Sequence, residues 1–263
     1  MSLNLARQAR VLVEAWKAKR TIVLAKEPDG ERFGTIEPSQ GSAAAANAAG
    51  APALRLLAVG DSMAAACGTS SQQHGLIPQF CSLLADATGR SIAWRTVGRL
   101  GATLRRVRYR QLPAVDGRWD CLVICAGSND IMANRAPDGQ WLRELRESLD
   151  MARRHAHRVV IFPAGQLYSI PALGAALADD LKRKVFAQAE AVKKMCEPME
   201  DVTYLEWTHG IPFGDMKWFW CSDCFHPSYE GYGVISRFLM DKMTADDIAD
   251  LSGSREPDGA DAD

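Results

Sequence analysis

Ser62, Asp223 and His226 are the three residue types that together activate a hydroxyl: the nucleophile, a base for its proton, and a carboxylate to orient the base. Of five histidines, only His226 has both an acid three residues before it and a proline directly after. A turn through 223–226 would set Asp223 on one imidazole nitrogen and leave the other to accept a proton. Pro227 suits the first position of a helix, so His226 is expected at or beside an N-cap. Ser62 follows the apolar run LRLLAVG and Asp61. That predicts a strand-to-helix turn exposing the hydroxyl beside a helix N-terminus, whose amides favour developing negative charge. Such chemistry also needs donors for the oxyanion of a tetrahedral intermediate, and three are at hand: the backbone amides of Ser62 and Gly101 and the side-chain amide of Asn129. The reaction these groups would support is acyl transfer.

The groups are scattered between residues 62 and 226, so the fold must gather them. Five apolar runs read as buried strands: LRLLAVG (54–60), SIAWRTVG (91–98), DCLVICAG (120–127), HRVVIFPAG (157–165) and VTYLEW (202–207). Helical patterns alternate with them over 76–87, 104–112, 140–155 and 174–196, and a last helix is expected from Pro227 to Met243. Strands alternating with helices indicate an α/β domain with a parallel sheet covered on both faces, here over residues 54–243. Open parallel sheets bind ligands beyond the carboxyl ends of their strands. Each residue named above follows a predicted strand: Ser62 the first, Gly101 the second, Asn129 the third, Asp223 and His226 the fifth.

Outside that domain the chain reads differently. Residues 3–20 form an amphipathic helical pattern, and the whole of 1–37 reads as a helix with an irregular extension that either docks on the domain or self-associates through its Trp16 face. GSAAAANAAGAPA lies within a small-residue linker, 38–53, and the acidic tail 244–263 is expected to fray.

VGDS (59–62), the glycine of GRLGAT (98–103), GSND (127–130) and DCFHP (223–227) resemble, in order, the four sequence blocks of the SGNH, or GDSL-type, hydrolases. The resemblance spans about 54–242. It implies a flavodoxin-like three-layer α/β/α sandwich with a five-stranded parallel sheet in the order 2-1-3-4-5, and ester hydrolysis without metal or cofactor. By the same resemblance Ser62, Gly101, Asn129 and His226 take the four name-giving roles, and Asp223 completes the triad. Gly98 competes with Gly101, whose GAT context is closer to the family's segment. Met63 stands where the motif has leucine, which leaves the nucleophile intact. No G-x-S-x-G occurs, against the α/β-hydrolase elbow.

Each signal alone has a plainer reading: Asp-Ser as a helix cap, GSND as a turn, Asp223 and His226 as a surface turn. Their ordered placement at strand ends is what favours catalysis. Two other classes remain: a binding module of the same fold that has lost activity, and a structural zinc site using Cys221 and Cys224 with His226. Zinc needs a fourth ligand that no second Cys/His pair supplies, and it would take the base from Ser62. Cys121 and Cys125, about 13 Å apart along one strand, cannot form a disulfide and read as core. Met63, Tyr168, Ile170, Trp218 and Trp220 are candidates for the pocket wall, with core packing as the alternative for the aromatic residues of MKWFWC (216–221).

Composition sets the remaining bounds. A formal net charge of −1 gives no support to a nucleic-acid partner, and the basic run from Arg99 to Arg110 reads as a solvated face. No stretch is apolar enough for a membrane span or a secretory leader. Seven cysteines in mostly apolar settings suggest reduced thiols and a cytoplasmic protein. The partner expected is a small-molecule ester; the sequence does not specify the oligomeric state.

Overall fold

The runs 54–60 and 119–125 are apolar at almost every position because both of their faces are covered. The structure, a computed structural model, describes residues 2–42, 44–45, 50–135, 137–212 and 216–253. Its sheet comprises β1 (Phe33–Ile36), β2 (Leu54–Gly60), β3 (Ile92–Gly98), β4 (Trp119–Cys125), β5 (Ala156–Ile161) and β6 (Val202–Tyr204). Along β2, Leu57 and Val59 enter one core while Leu54, Leu56 and Ala58 enter the other; β4 divides likewise into Leu122 and Ile124 against Cys121, Val123 and Cys125. Cys121 and Cys125 are therefore core residues on one face of one strand.

The first core is closed by α4 (Gly139–His155), α5 (Ala175–Cys196) and a helical stretch that runs Leu104–Arg106 and widens into a π turn over Val107–Gln111. The second is closed by α2 (Leu76–Thr88), α6 (Tyr229–Met240) and α7 (Ala245–Ser252). The remaining helices are α1 (Ser2–Thr21) and the short α3 (Ser128–Met132). Helices on both faces of a mostly parallel sheet make the three layers expected of this pattern.

Four differences from the sequence reading have physical causes. Among the described residues the sheet has six strands, in the order β1-β3-β2-β4-β5-β6, rather than five. Its parallel part follows the expected order, and β1 adds an antiparallel edge strand from the extension, pairing Phe33 with Arg95 and Ile36 with Ile92. Four residues that alternate between exposed and half-buried, one of them glycine, carry too little pattern to read as a strand. Second, Thr244–Ser252 is a capped helix rather than frayed chain: Thr244 and Asp247 form a capping box, while Asp247 and Asp250 bind the guanidinium of Arg158 at 2.9 and 2.7 Å. The acids that resembled a solvated tail are ion-pair partners; residues 254–263 lie outside the described residues.

Third, no helix follows Ser62 directly. Residues 62–68 make a succession of turns, with Ala65 N donating to Asp61 O and Cys67 N to Ser62 O, before α2 begins at Leu76. Fourth, α6 begins at Tyr229 with Ser228 as N-cap, so Pro227 lies outside it, bridged to Trp220.

In the extension, α1 packs on α5. Glu14 accepts a hydrogen bond from Leu177 N at 2.8 Å in the first turn of α5. Val11, Glu14, Ala15 and Ala18 are its half-buried face; Leu5, Leu12, Val13 and Trp16 point outward and are exposed. Of the linker, Ser39 and Ser42 are tied to Asp86. Among the described residues no helix is long and apolar enough to cross a membrane.

Candidate active site

The site is assembled at the carboxyl ends of β2, β3 and β4. Gly60, the last residue of β2, has φ +152°, and a Cβ there would fall 2.0 Å from Cys125 O, so the chain reaches Ser62 only through glycine. The buried Gln111 side chain clamps this residue from the side, accepting from Gly60 N at 2.8 Å and donating to Gly60 O at 2.9 Å. Asp61 then turns inward, its Oδ1 accepting from Met63 N at 3.0 Å, and burial pushes its carboxyl up to about 7. Ser62 is 9% exposed. Its amide makes no hydrogen bond to another described residue.

The turn that carries Ser62 packs against the segment that carries His226. A Cβ on Gly68 would lie 2.3 Å from Pro227 O and 3.1 Å from the His226 Cβ, and the Tyr232 hydroxyl donates to Cys67 O at 2.6 Å. His226 is 3% exposed. Its Nδ1 lies 2.7 Å from Asp223 Oδ2, which assigns the proton to Nδ1 and a lone pair to Nε2. Nε2 is buried and has no hydrogen-bond partner among the described residues.

Asp223 is the most heavily bonded acid of the site, with a side chain only 2% exposed. Oδ1 accepts from Phe225 N and His226 N, both at 2.8 Å, and from Cys221 Sγ at 3.0 Å. Oδ2 accepts from His226 and, at 2.8 Å, from Ala25 N. Burial alone would raise this carboxyl, but the donors outweigh it, His226 first and Ala25 next, and hold it well below the usual range. Cys221, whose thiol is pushed up to about 11 by burial, is thus a donor to the acid. Among the described residues, no three His, Cys, Asp or Glu side chains converge as a metal site.

The two candidate glycines have different tasks. Gly98 ends β3 against the nucleophile turn, where a Cβ would meet Ala64 C and Ala65 N at 2.4 Å. Gly101 has φ +75°, open space around it, and an amide that bonds to no described residue. Asn129, in α3, donates one N–H to Ala102 O at 2.8 Å, so its carboxamide is held at the loop of Gly101. The next residue, Asp130, accepts from Leu104 N at 2.9 Å, and burial pushes its carboxyl up to about 6.

Of the five pocket-wall candidates, Met63, Ile170 and Trp220 line one apolar groove with Leu167, Trp207 and Phe225. Tyr168 turns away, donating to Thr208 O at 2.7 Å and stacking on Phe186; Trp218 is 52% exposed. Neither lines the groove. In the basic run, Arg105 pairs with the buried Glu144 at 2.6 Å and Arg108 with Glu147, both acids on α4.

Sequence reasoning missed Ala25, Gln111 and Glu27, whose carboxylate accepts from Leu100 N at 2.7 Å, next to Gly101. No motif marks them: a backbone amide has no residue signature, and Glu27 and Gln111 act across 73 and 51 positions of chain.

The sequence model of the GDSL-like lipase/acylhydrolase family matches residues 58–234. No curated protein is significantly similar. Among solved structures, the chain resembles a family 3 carbohydrate esterase from Clostridium thermocellum, with TM-score 0.57 and 16% identity over 76% of this chain and 100% of that one. It also resembles phospholipase A1 from Streptomyces albidoflavus NA297 (0.55, 18%, over 73% and 100%). A third is an acetylxylan esterase from Geobacillus stearothermophilus (0.53, 16%, over 73% and 94%). At these identities the likeness is one of fold.

Proposed function

The chain belongs to the GDSL-like lipase/acylhydrolase family, and from that premise we propose that it is a carboxylic ester hydrolase working through a Ser62–His226–Asp223 triad. Membership supports ester hydrolysis in general; the assignment of the triad rests on the site. The observation that carries it is His226: one ring nitrogen is bonded to a buried carboxylate, and the other is a buried lone pair with no partner among the described residues. A buried acceptor left unsatisfied costs free energy, commonly about 1–3 kcal/mol, so a proton brought there by the Ser62 hydroxyl would be accepted readily.

In the proposed reaction Ser62 Oγ attacks the ester carbonyl carbon while His226 Nε2 takes its proton. Asp223 stabilises the imidazolium. The oxyanion of the tetrahedral intermediate accepts from Ser62 N, Gly101 N and the second N–H of Asn129. Collapse breaks the bond to the alcohol, which leaves with the proton from His226. Water then adds to the acyl-enzyme by the same route and frees the acid. The groove of Met63, Ile170 and Trp220 would hold the acyl group, which favours short apolar acyl esters.

The buried thiols Cys67, Cys81, Cys121, Cys125 and Cys196 suit a reducing compartment, and we propose the cytoplasm. The test of activity is turnover of p-nitrophenyl esters from acetate to palmitate. Hydrolysis with an optimum at short chains is expected. A folded protein inactive on every member would overturn the reading in favour of a binding module of the same fold.

A further inference from the structure

Residues 22–32 have no regular structure, yet their hydrogen bonds land on the acid and on the loop before Gly101, and reach the nucleophile turn through Gln72. Ala25 N donates to Asp223 Oδ2, the same oxygen that His226 uses. The Glu27 carboxylate accepts from Leu100 N at 2.7 Å, the amide directly before Gly101. Its other oxygen takes Arg32 Nη2 at 2.6 Å, and Arg32 Nη1 donates to Gly98 O at 2.7 Å. Residues 98–100 are thereby gripped at both ends. Gln72 donates to Pro28 O and Ala65 O through its side chain and to Asp29 O through its amide, which fastens the segment to the end of the nucleophile turn.

We propose that this segment is a strap belonging to the active site, in which the Ala25 amide and the Glu27 carboxylate are positioning groups. The inference rests on the triad and oxyanion reading above. Ala25 fixes the rotamer of the acid, because with its donor in place both carboxylate oxygens are fully occupied and the group has no alternative orientation. Glu27 fixes the peptide that leads into Gly101, so that its amide faces the reacting carbonyl. Burial of Glu27 opposes its charge, but the Leu100 amide and Arg32 outweigh that and keep it ionised. The strap precedes the segment matched by the family, residues 58–234, and is contributed by this chain's own extension.

The test compares two pairs of variants in steady-state ester turnover with full pH profiles, their folding checked by thermal unfolding. Ala25→Pro removes the N–H, whereas Ala25→Gly keeps it. Glu27→Ala removes the acceptor, whereas Glu27→Gln keeps an oxygen for Leu100. Losing one such hydrogen bond is expected to lower kcat about tenfold with KM nearly unchanged. Ala25→Pro should also move the acidic limb of the profile upward, since a carboxylate with one donor fewer holds the imidazolium more tightly. The conservative variants should recover most of the rate.

Wild-type rates and limbs in Ala25→Pro and Glu27→Ala would overturn the proposal, as would equal losses in the conservative variants. If Ala25→Pro fails to fold, the Glu27 pair decides. Should the wild type hydrolyse no ester, the functional reading fails, and the strap is read from the low-field Nδ1 proton resonance of His226. A shift in Ala25→Pro but not in Ala25→Gly supports the strap, and an unmoved resonance in both overturns it.

Discussion

The α/β body and the N-terminal extension are ordered by different forces. In the body, strands such as β2 and β4 are covered on both faces, and burial of apolar side chains sets position and register. The extension contributes little to either core. Its helix α1 turns Leu5, Leu12, Val13 and Trp16 outward, and the strap after it is held by hydrogen bonds to Gly98, Leu100, Gln72 and Asp223. In the proposed account the body supplies the reacting groups and most of the stability, while the extension restrains groups already present. Variants in the body should lose the reaction outright, and variants in the extension should tune it.

The largest effect expected from an acid that only orients its base is at Asp223. Asp223→Asn keeps the shape but reverses the hydrogen bond to Nδ1, which places the wrong tautomer in the site. A loss of kcat on the order of 10⁴ is predicted by steady-state turnover. Asn129→Ala removes one oxyanion donor, and kcat should fall roughly 10²–10³-fold with KM little changed. Both exceed the tenfold expected of the strap; a strap variant as damaging as Asp223→Asn would erase the distinction between the two regions.

Stability gives a second contrast. Asp61 is buried in the body with its carboxyl raised to about 7, whereas in the unfolded chain it titrates near 4. Between those values the native state holds a proton that the unfolded state has released, so this group makes stability fall as pH rises from about 4 to about 7. Asp61→Asn removes that slope, at most roughly 4 kcal/mol across the window, and chemical denaturation at pH 4 and pH 7.5 would measure it. At the other extreme, Trp16 is 60% exposed on the outer face of α1, and Trp16→Ala should change unfolding free energy by less than about 0.5 kcal/mol. A larger loss would show that the outer face of α1 is held by contacts and would blur the comparison.

The same contrast accounts for what could be read from the sequence. The five parallel strands are legible because a short, near-continuous apolar run bounded by turn residues fits a strand covered on both faces. The placement of Ser62, Gly101, Asn129, Asp223 and His226 after strands follows from them. Local geometry is less legible. Ser62 opens a chain of turns rather than a helix: the Asp61 carboxylate accepts from Met63 N, and Ala66 takes a φ of +57°, which no right-handed helix accommodates. Asp247 and Asp250 looked like tail charges because their partner, Arg158, lies in β5, far away in sequence. Ala25 could not have been found at all: its contribution is an N–H, which every residue but proline has.

The central claim is that Ser62 is the nucleophile, and covalent labelling tests it without any knowledge of the substrate. The protein is treated with a fluorophosphonate probe, digested, and the modified residue read by mass spectrometry, with Ser62→Ala alongside. Stoichiometric label on Ser62 alone, absent from a folded Ser62→Ala, is the predicted result. Label on another serine, or equal labelling of the variant, would contradict the account.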